Sequence, residues 1–296
     1  MRKTTPPDLS LLTEDFERRP AQAYSHSQLA QLQASHLRQW GLPERMGARA
    51  FIQLLMDQKK LSPITLRSPD YSEIVRYTWR SHQVSPLAVA LSIRKSAYLS
   101  HSTALWIHGL GGNARHLIVN VEQSEKDATN SNLTQEAIDR AFQNEVRRSR
   151  LVYAMTKLRI TVINGKNTGE LEVQQVTGTG GETLRVTSLE RTLVDIVVRP
   201  IYSGGVQSVL DAYRFARDRI SVPKTLQILQ KLNYLYPYHQ AIGFYLQAAG
   251  YSSQDQALFK HIGMKYDFYL SHGLKRPMFD KRWRVFYPRG LRHKAS

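Results

Sequence analysis

The stretch Val186-Thr-Ser-Leu-Glu-Arg-Thr-Leu-Val-Asp-Ile-Val-Val-Arg-Pro200 constrains the fold more than any other part of the chain. It reads as a strand end running straight into a helix. Thr187 and Glu190 have the spacing of a capping box, in which each side chain satisfies a backbone N–H of the other residue. Leu189, Leu193, Val194 and Val197 then recur as an apolar stripe at helical spacing. Arg191 and Asp195 lie one turn apart and can pair, and Pro200 stops the helix. A strand delivered directly into an amphipathic helix points to an α+β architecture.

Charge is the second constraint. The chain of 296 residues carries 41 Lys+Arg against 24 Asp+Glu, a net charge of +17. A chain this basic is suited to a polyanion, most often nucleic acid. The absence of cysteine excludes disulfides, thiolate zinc sites and thiol catalysis, and suits a cytoplasmic protein. The opening residues contain no apolar run of signal-peptide length. No window reaches the ~18 apolar residues of a membrane span, so no membrane partner is expected.

Two parts are expected: residues 1–83, and a mixed α/β domain over 84–296. In the first, an apolar cluster at Leu9, Leu11, Leu12 and Phe16 suggests a short helix. Ser25 and Gln28 have capping-box spacing ahead of Leu29, Leu32, Leu37 and Trp40. Gly41-Leu-Pro43 breaks that helix. A further helix is expected from Glu44 to Gln58, buried through Met46, Ala50, Phe51, Leu54 and Leu55, with Arg45, Arg49 and Gln53 on its opposite face. Ile64–Arg67, the turn Ser68-Pro-Asp-Tyr71 and Glu73–Trp79 read as a β-hairpin. Helix, break, helix, hairpin is the order of a winged helix-turn-helix.

Beyond residue 83 the pattern predicts a helix over Tyr98–Leu110, a strand at Leu117–Val121, a polar loop at 122–132 and a helix from Thr134 to about Ser149. Leu158–Ile163, an Asn164-Gly165 turn and Glu170–Val173 suggest a second hairpin, and Gly178–Gly181 a tight loop before Thr183–Val186. Helices are expected over 205–217, 224–232, 238–249 and 255–261. Strands at 267–270 and 283–287 precede a frayed basic tail, Arg289–Lys294.

Three segments carry a resemblance: Tyr98-Leu-Ser-His-Ser-Thr-Ala-Leu-Trp-Ile-His-Gly-Leu110, Val186–Asp195, and Phe268-Tyr-Leu-Ser-His272 with Trp283-Arg-Val-Phe-Tyr-Pro288. In order and spacing they resemble the AbiEi antitoxins of type IV abortive-infection toxin–antitoxin systems. The resemblance covers most of the chain from residue 85 onward. The N-terminal part departs from it, with a Pro/Asp/Tyr wing in place of a Gly-rich one and a longer leader. The resemblance implies a winged helix that represses its own promoter at inverted repeats in double-stranded DNA. It also implies a C-terminal domain that counteracts a nucleotidyltransferase-like toxin, not necessarily through a stable complex. No enzymatic activity, catalytic residue, metal or cofactor is expected on this reading.

On the residues themselves, Arg45 and Arg49 suit guanine edges and Gln53 an adenine edge, with Arg38, Lys59, Lys60, Arg67 and Arg76 holding phosphates. A solvated helix face with ordinary surface charge is the plain alternative. Near the end, Lys275, Arg276, Lys281, Arg282, Arg284, Arg289, Arg292 and Lys294 form a basic cluster interleaved with aromatics. Arg282 and Arg284 fall on one strand face and Trp283, Val285 and Tyr287 on the other. This pattern suits a second phosphate-binding surface, a site that touches RNA, or a charged edge strand that resists aggregation. Glu190, Arg191 and Asp195 are the candidates of the C-terminal domain. They read as a cap and an ion pair, or, in a metal-dependent nuclease or phosphoryl-transfer enzyme, as two carboxylates on Mg²⁺. A ligand-sensing regulator is a third possibility. His101 and His108 share a helix face without a third ligand and suit capping or packing. Gly109–Gly112 lacks the Lys-Ser/Thr of a P-loop, and no Glu-x-Lys nuclease motif occurs.

Overall fold

A computed structural model of the protein describes residues 8–124 and 132–292. Most of the expected loop at 122–132, and Lys294 of the basic tail, lie outside the described residues. In chain order the elements begin with α1 (Ser10–Arg18), β1 (Ala23–Tyr24), α2 (His26–His36), α3 (Ala48–Asp57), β2 (Leu61–Leu66), β3 (Ile74–Trp79) and α4 (Pro86–Leu91). There follow β4 (Tyr98–Leu99), α5 (His101–Ile107), β5 (His116–Glu122), α6 (Gln135–Gln143), β6 (Val152–Met155), β7 (Leu158–Gly165), β8 (Val173–Thr177) and β9 (Thr183–Thr187). The chain closes with α7 (Leu189–Val198), a short 3-10 turn at Pro200–Tyr202, α8 (Val206–Ala216), α9 (Val222–Leu232), α10 (Tyr238–Ala248), α11 (Ser253–Lys260), β10 (Phe268–Tyr269), β11 (Met278–Asp280) and β12 (Val285–Tyr287). The protein is therefore mixed α+β. No helix among the described residues is long and apolar enough to cross a membrane.

The chain divides into two compact units. The first holds residues 1–97 together with 151–160 and 175–185; the second holds 98–150, 161–174 and 186–296. A single cut after residue 83 does not describe this, because two later segments of the chain return to the first unit.

In the first unit, Ser25 and Gln28 form the expected capping box, side chain to backbone in both directions, and so start α2. β2 and β3 pair antiparallel, with β1 against the far side of β3. Phe16, Trp40, Phe51 and Trp79 are fully buried, with the rings of Phe16 and Trp79 stacked 4.5 Å apart. Burying side chains of this size contributes roughly 1.5–3 kcal/mol each. The indole N–H of Trp79 is satisfied by Glu17 Oε1 at 2.7 Å.

In the second unit, β4 pairs antiparallel with β5, setting Tyr98 opposite Asn120. It pairs parallel with β9, setting Leu99 opposite Val186. β7 lies on the other side of β5. Helices α7 to α11 supply the larger core, centred on Leu193, Tyr213, Ile242, Tyr245 and Trp283. Gly243 on α10 lets the Trp283 ring approach; a Cβ there would lie 2.0 Å from Cζ3. Gln240 of α10 donates to the carbonyls of Tyr266 and Trp283, both at 2.8 Å.

Several expectations change. The helix placed at Tyr98–Leu110 starts at His101, and Tyr98–Leu99 form a strand. Asn164-Gly165 is not a hairpin turn. β7 continues through Gly165, and the reversal is at Thr156-Lys157, where Thr156 takes φ 52°. Glycine is needed at 165 for proximity, because a Cβ would come within 2.5 Å of the Asn120 amide. β8 pairs with β9, across Gly178–Gly181.

Candidate functional site

The expected DNA-reading helix is shorter than its apolar pattern suggested. Gly47, extended at φ −75° and ψ 158°, precedes the first helical residue, Ala48. Arg45 therefore lies in the preceding turn, and the three proposed readers do not share one helix face. Arg49 and Gln53 do, both exposed, with Gln53 Nε2 donating to Asp57 Oδ1 at 2.8 Å. Ala50, expected inside, is exposed.

The expected phosphate contacts divide. Arg38 is exposed, 3.9 Å from Glu44, and Arg67 is exposed, 3.4 Å from Glu73. Lys59 is exposed, and Lys60 lies 6.0 Å from the centre of the Trp79 ring. Arg76 must be withdrawn. It is buried and donates to the carbonyls of Val75, Ser92 and Ile93. Strand alternation puts it on the inward face of β3 with Thr78, and the carbonyls past the end of α4 take up its charge. Burial, together with Arg94, lowers its pKa.

The C-terminal basic pair is also not a matched face. Arg282 is exposed, its guanidinium 5.9 Å from the Trp283 ring. Arg284 precedes β12 in a left-handed conformation at φ 52° and donates to Asp267 Oδ1 at 2.8 Å. The alternation fails because the strand begins only at Val285.

At the start of α7 the cap is Ser188, whose hydroxyl accepts from Arg191 N at 3.3 Å. The expected Thr187–Glu190 box is not formed. Thr187 is buried with its hydroxyl 2.8 Å from that of Thr192. Glu190 instead accepts from Ser221 N at 3.2 Å and lies 3.5 Å from Lys224 Nζ. Glu190 and Asp195 thus engage different partners. The described residues bring together no group of three or more His, Cys, Asp or Glu suited to a metal ion.

Arg191 and Asp195 pair as their spacing predicts, Nε to Oδ1 at 2.8 Å, and the pair is buried. Arg191 Nη1 also donates to Leu171 O at 2.7 Å. Burial opposes its charge, but Asp195 more than restores it, so the guanidinium is held more firmly than usual. For Asp195, burial pushes the carboxyl up against the pull of Arg191.

This pair forms one wall of a cavity of about 60 Å³ lined also by His101, Asn120, Ile163, Gly165, Lys166, Val198, Arg199 and Tyr234. Of the lining residues, Asn120 is held by a relay of side chains that continues through Tyr98 to Glu122. Glu122 accepts from the backbone N–H groups of Thr168 at 2.9 Å and Glu170 at 3.2 Å, and from the Tyr98 hydroxyl at 3.1 Å. A carboxylate that accepts obliges Tyr98 to donate, so the Tyr98 oxygen accepts from Asn120 Nδ2. This fixes the Asn120 amide, and its Oδ1 is buried with no hydrogen-bond partner. His101 is buried at the start of α5 with φ 49°, a conformation few residues other than glycine adopt. Burial, with Arg199 and Arg191 nearby, pushes its pKa down to about 3, so the ring is neutral. Lys166 Nζ donates to the carbonyls of Leu232 at 2.8 Å and Asn233 at 2.7 Å. Chemically this is a small, partly open site with three cationic side chains, one carboxylate and, in its lining, a buried amide whose oxygen has no hydrogen-bond partner.

Of its lining, the sequence pointed only to Arg191 and Asp195 as candidates. Asn120 had a signal, a lone amide in the apolar run Leu-Ile-Val-Asn-Val. Arg199 continues the Arg191, Asp195 spacing by one more turn. Lys166 and Tyr234 had none.

No protein-family model matches the chain, and no curated protein sequence matches it. Among solved structures, the crystal structure of the RV2827C protein from Mycobacterium tuberculosis is similar in fold. It has a TM-score of 0.55 at 12% identity, covering 96% of this chain and 92% of that one. At that identity the likeness concerns the fold alone.

Proposed function

We propose that the protein is a non-catalytic DNA-binding antitoxin and autorepressor of the AbiEi type. On this reading the first unit is a winged helix-turn-helix, with α2 and α3 as the two helices and β2–β3 as the wing. It binds an inverted repeat in its own promoter. The observation that carries the reading is the solvent face of α3, where Arg49 and Gln53 stand free of the core between two exposed cations, Arg45 and Lys59. Arg and Gln are the side chains that read guanine and adenine edges by paired hydrogen bonds. The net charge of +17 supports a polyanionic partner. Arg38 and Arg67, each with only an exposed carboxylate opposite, are suited to phosphates; an exposed pair of this kind is worth at most ~1 kcal/mol and is readily exchanged. The second unit is assigned the antitoxin role against a nucleotidyltransferase-like toxin by the resemblance of its segments, and Arg282 is its exposed basic candidate.

A mobility-shift titration on the DNA upstream of the gene, across a salt series, tests the DNA reading. Arg49→Ala with Gln53→Ala is expected to abolish the sequence-specific shift while leaving weaker, salt-sensitive binding. Equal affinity for any duplex, unchanged in the double variant, would defeat it.

A further inference from the structure

We infer that the β6–β7 hairpin is a second basic arm beside the wing, and that its Lys157 and Arg159, with Arg67 of the β2–β3 hairpin, hold the phosphate backbone of double-stranded DNA. The inference rests on the DNA-binding reading and adds to it a contact surface from a later part of the chain.

Placement comes first. Residues 151–160 belong to the first unit, although the chain reaches them only after α6. Two backbone hydrogen bonds tie them to the edge of the β2–β3 hairpin. Arg67 N–H donates to Ala154 O at 3.0 Å, and Ala154 N–H donates to Arg67 O at 2.7 Å. Residues paired in this way set their side chains on one face of a sheet. On its other side β6 joins β7 through the two-residue connection Thr156-Lys157, which sets Ala154 opposite Arg159. Arg67, Ala154 and Arg159 therefore form one row across three strands. All three are exposed, whereas the adjacent Leu66, Tyr153 and Ile160 are buried on the opposite face. Strands spaced ~4.8 Å apart put Arg67 and Arg159 roughly 10 Å from one another, with a single methyl group between them. Lys157 is exposed in the turn.

The charge on this row is one-sided. Among the described residues, neither Lys157 nor Arg159 has a carboxylate within ion-pair distance. Between Glu145 and Glu170 the sequence has no acidic residue, so the hairpin itself contributes cations alone. Two carboxylates lie nearby, both exposed and both in the turn of the first hairpin. Glu73 is 3.4 Å from Arg67, a solvated pair that exchanges readily, and Asp70 precedes it.

The form of the row selects a duplex. Each strand of double-stranded DNA presents a phosphate every ~3.4 Å of axis, so cations spread over ~10 Å face about three of them. The row contains no aromatic ring on which an unpaired base would stack, as single-strand binding requires. Lysine and arginine held on phosphates position a protein without reading sequence. The arm therefore adds affinity for any duplex, while Arg49 and Gln53 on α3 supply the choice of site.

Mobility-shift titration of the full-length protein tests this, on the upstream DNA and on an unrelated duplex of equal length, over a salt series. Lys157→Gln with Arg159→Gln is expected to weaken binding to both duplexes by the same factor, about tenfold or more near ~0.1 M salt, and to reduce the slope of log affinity against log salt by about 2. Ala154→Glu places a carboxylate between the two guanidiniums and is expected to weaken both duplexes with every cation still present. Lys260→Gln with Lys275→Gln removes the same charge from exposed positions of the second unit and is expected to leave the slope unchanged. If the wild type binds the upstream DNA specifically and the hairpin variants keep its affinity and slope, this inference is overturned and the DNA reading stands. An equal loss in the Lys260, Lys275 variant would also overturn it, because net charge alone would then explain the effect. No binding of the wild type to any duplex, or hairpin-dependent binding confined to single-stranded RNA, would overturn both readings. Should Ala154→Glu fail to fold, the exposed pair Lys157 and Arg159 still decides.

Discussion

His101 offers the sharpest test of how the second unit is held together. Its ring is buried beside two guanidiniums, and its pKa falls from 6.5 to about 3. In the unfolded chain the ring is an ordinary histidine. The folded pKa is depressed, so the stability linked to this group is fully present above pH 6.5. It is lost as the pH falls from 6.5 toward 3, because only the unfolded state takes up the proton. The slope is about 1.4 kcal/mol per pH unit. Between pH 7.5 and pH 5.0 the loss from this one residue is about 2 kcal/mol, a large part of the ~5–15 kcal/mol that holds a typical protein folded. His108, His239 and His272 are also lowered, each first by burial, so the total loss is steeper. The comparison with His101→Asn isolates the residue, since asparagine tolerates φ near +49° and does not titrate. Urea unfolding at the two pH values should show the variant losing about 2 kcal/mol less than wild type. Profiles that remain parallel to within about 0.5 kcal/mol would refute the reasoning. A ring that titrates near 6.5 in the folded protein, followed by NMR, would refute it independently.

Other consequences can be checked in the same way. Arg191→Met should cost about 3–5 kcal/mol by leaving Asp195 buried and unpaired, whereas Arg191→Met with Asp195→Leu should recover most of that loss in a denaturant titration. Gly243→Ala drives a methyl into the Trp283 ring and should destabilise by roughly 1–3 kcal/mol, read from the urea midpoint and a red-shifted tryptophan emission. Arg76→Met should lower stability by about 1–3 kcal/mol through lost contacts to three carbonyls, those of Val75, Ser92 and Ile93, yet leave the salt slope of any DNA binding unchanged. Arg67→Ala, at an exposed position, should do the reverse.

The sequence was most readable where local chemistry decides the outcome. The Ser25–Gln28 box, the β2–β3 hairpin, the helices after Pro200 and the Arg191–Asp195 pair all depend on residues close in the chain. It was least readable where the deciding neighbour is remote. Glu190 has the right spacing to cap Thr187, but Lys224 and the Ser221 amide draw it away, and Ser188 caps instead. Asn164-Gly165 has the composition of a tight turn, yet Gly165 serves the Asn120 side chain of another strand. Arg76 reads as a surface cation until the carbonyls of Ser92 and Ile93 come within reach. Arg284 fails to join Arg282 because its left-handed backbone delays the strand by one residue. The cavity follows the same rule. Tyr98, Asn120, Glu122, Lys166 and Tyr234 are scattered over more than a hundred positions, and only the sheet and the helix laid on it bring them to one place.

The way the chain shuttles between its two units bears on how the protein is made and inherited. Residues 151–160 and 175–185 belong with the first unit. During synthesis, the N-terminal unit therefore cannot be completed until residue 185 has left the ribosome, although its first helices emerge much earlier. Nor can it be exchanged cleanly by joining two genes at one point, because any junction that keeps all of it also carries residues 98–150 and 161–174 of the second unit. A fusion that replaced only the first unit would need several junctions within the chain.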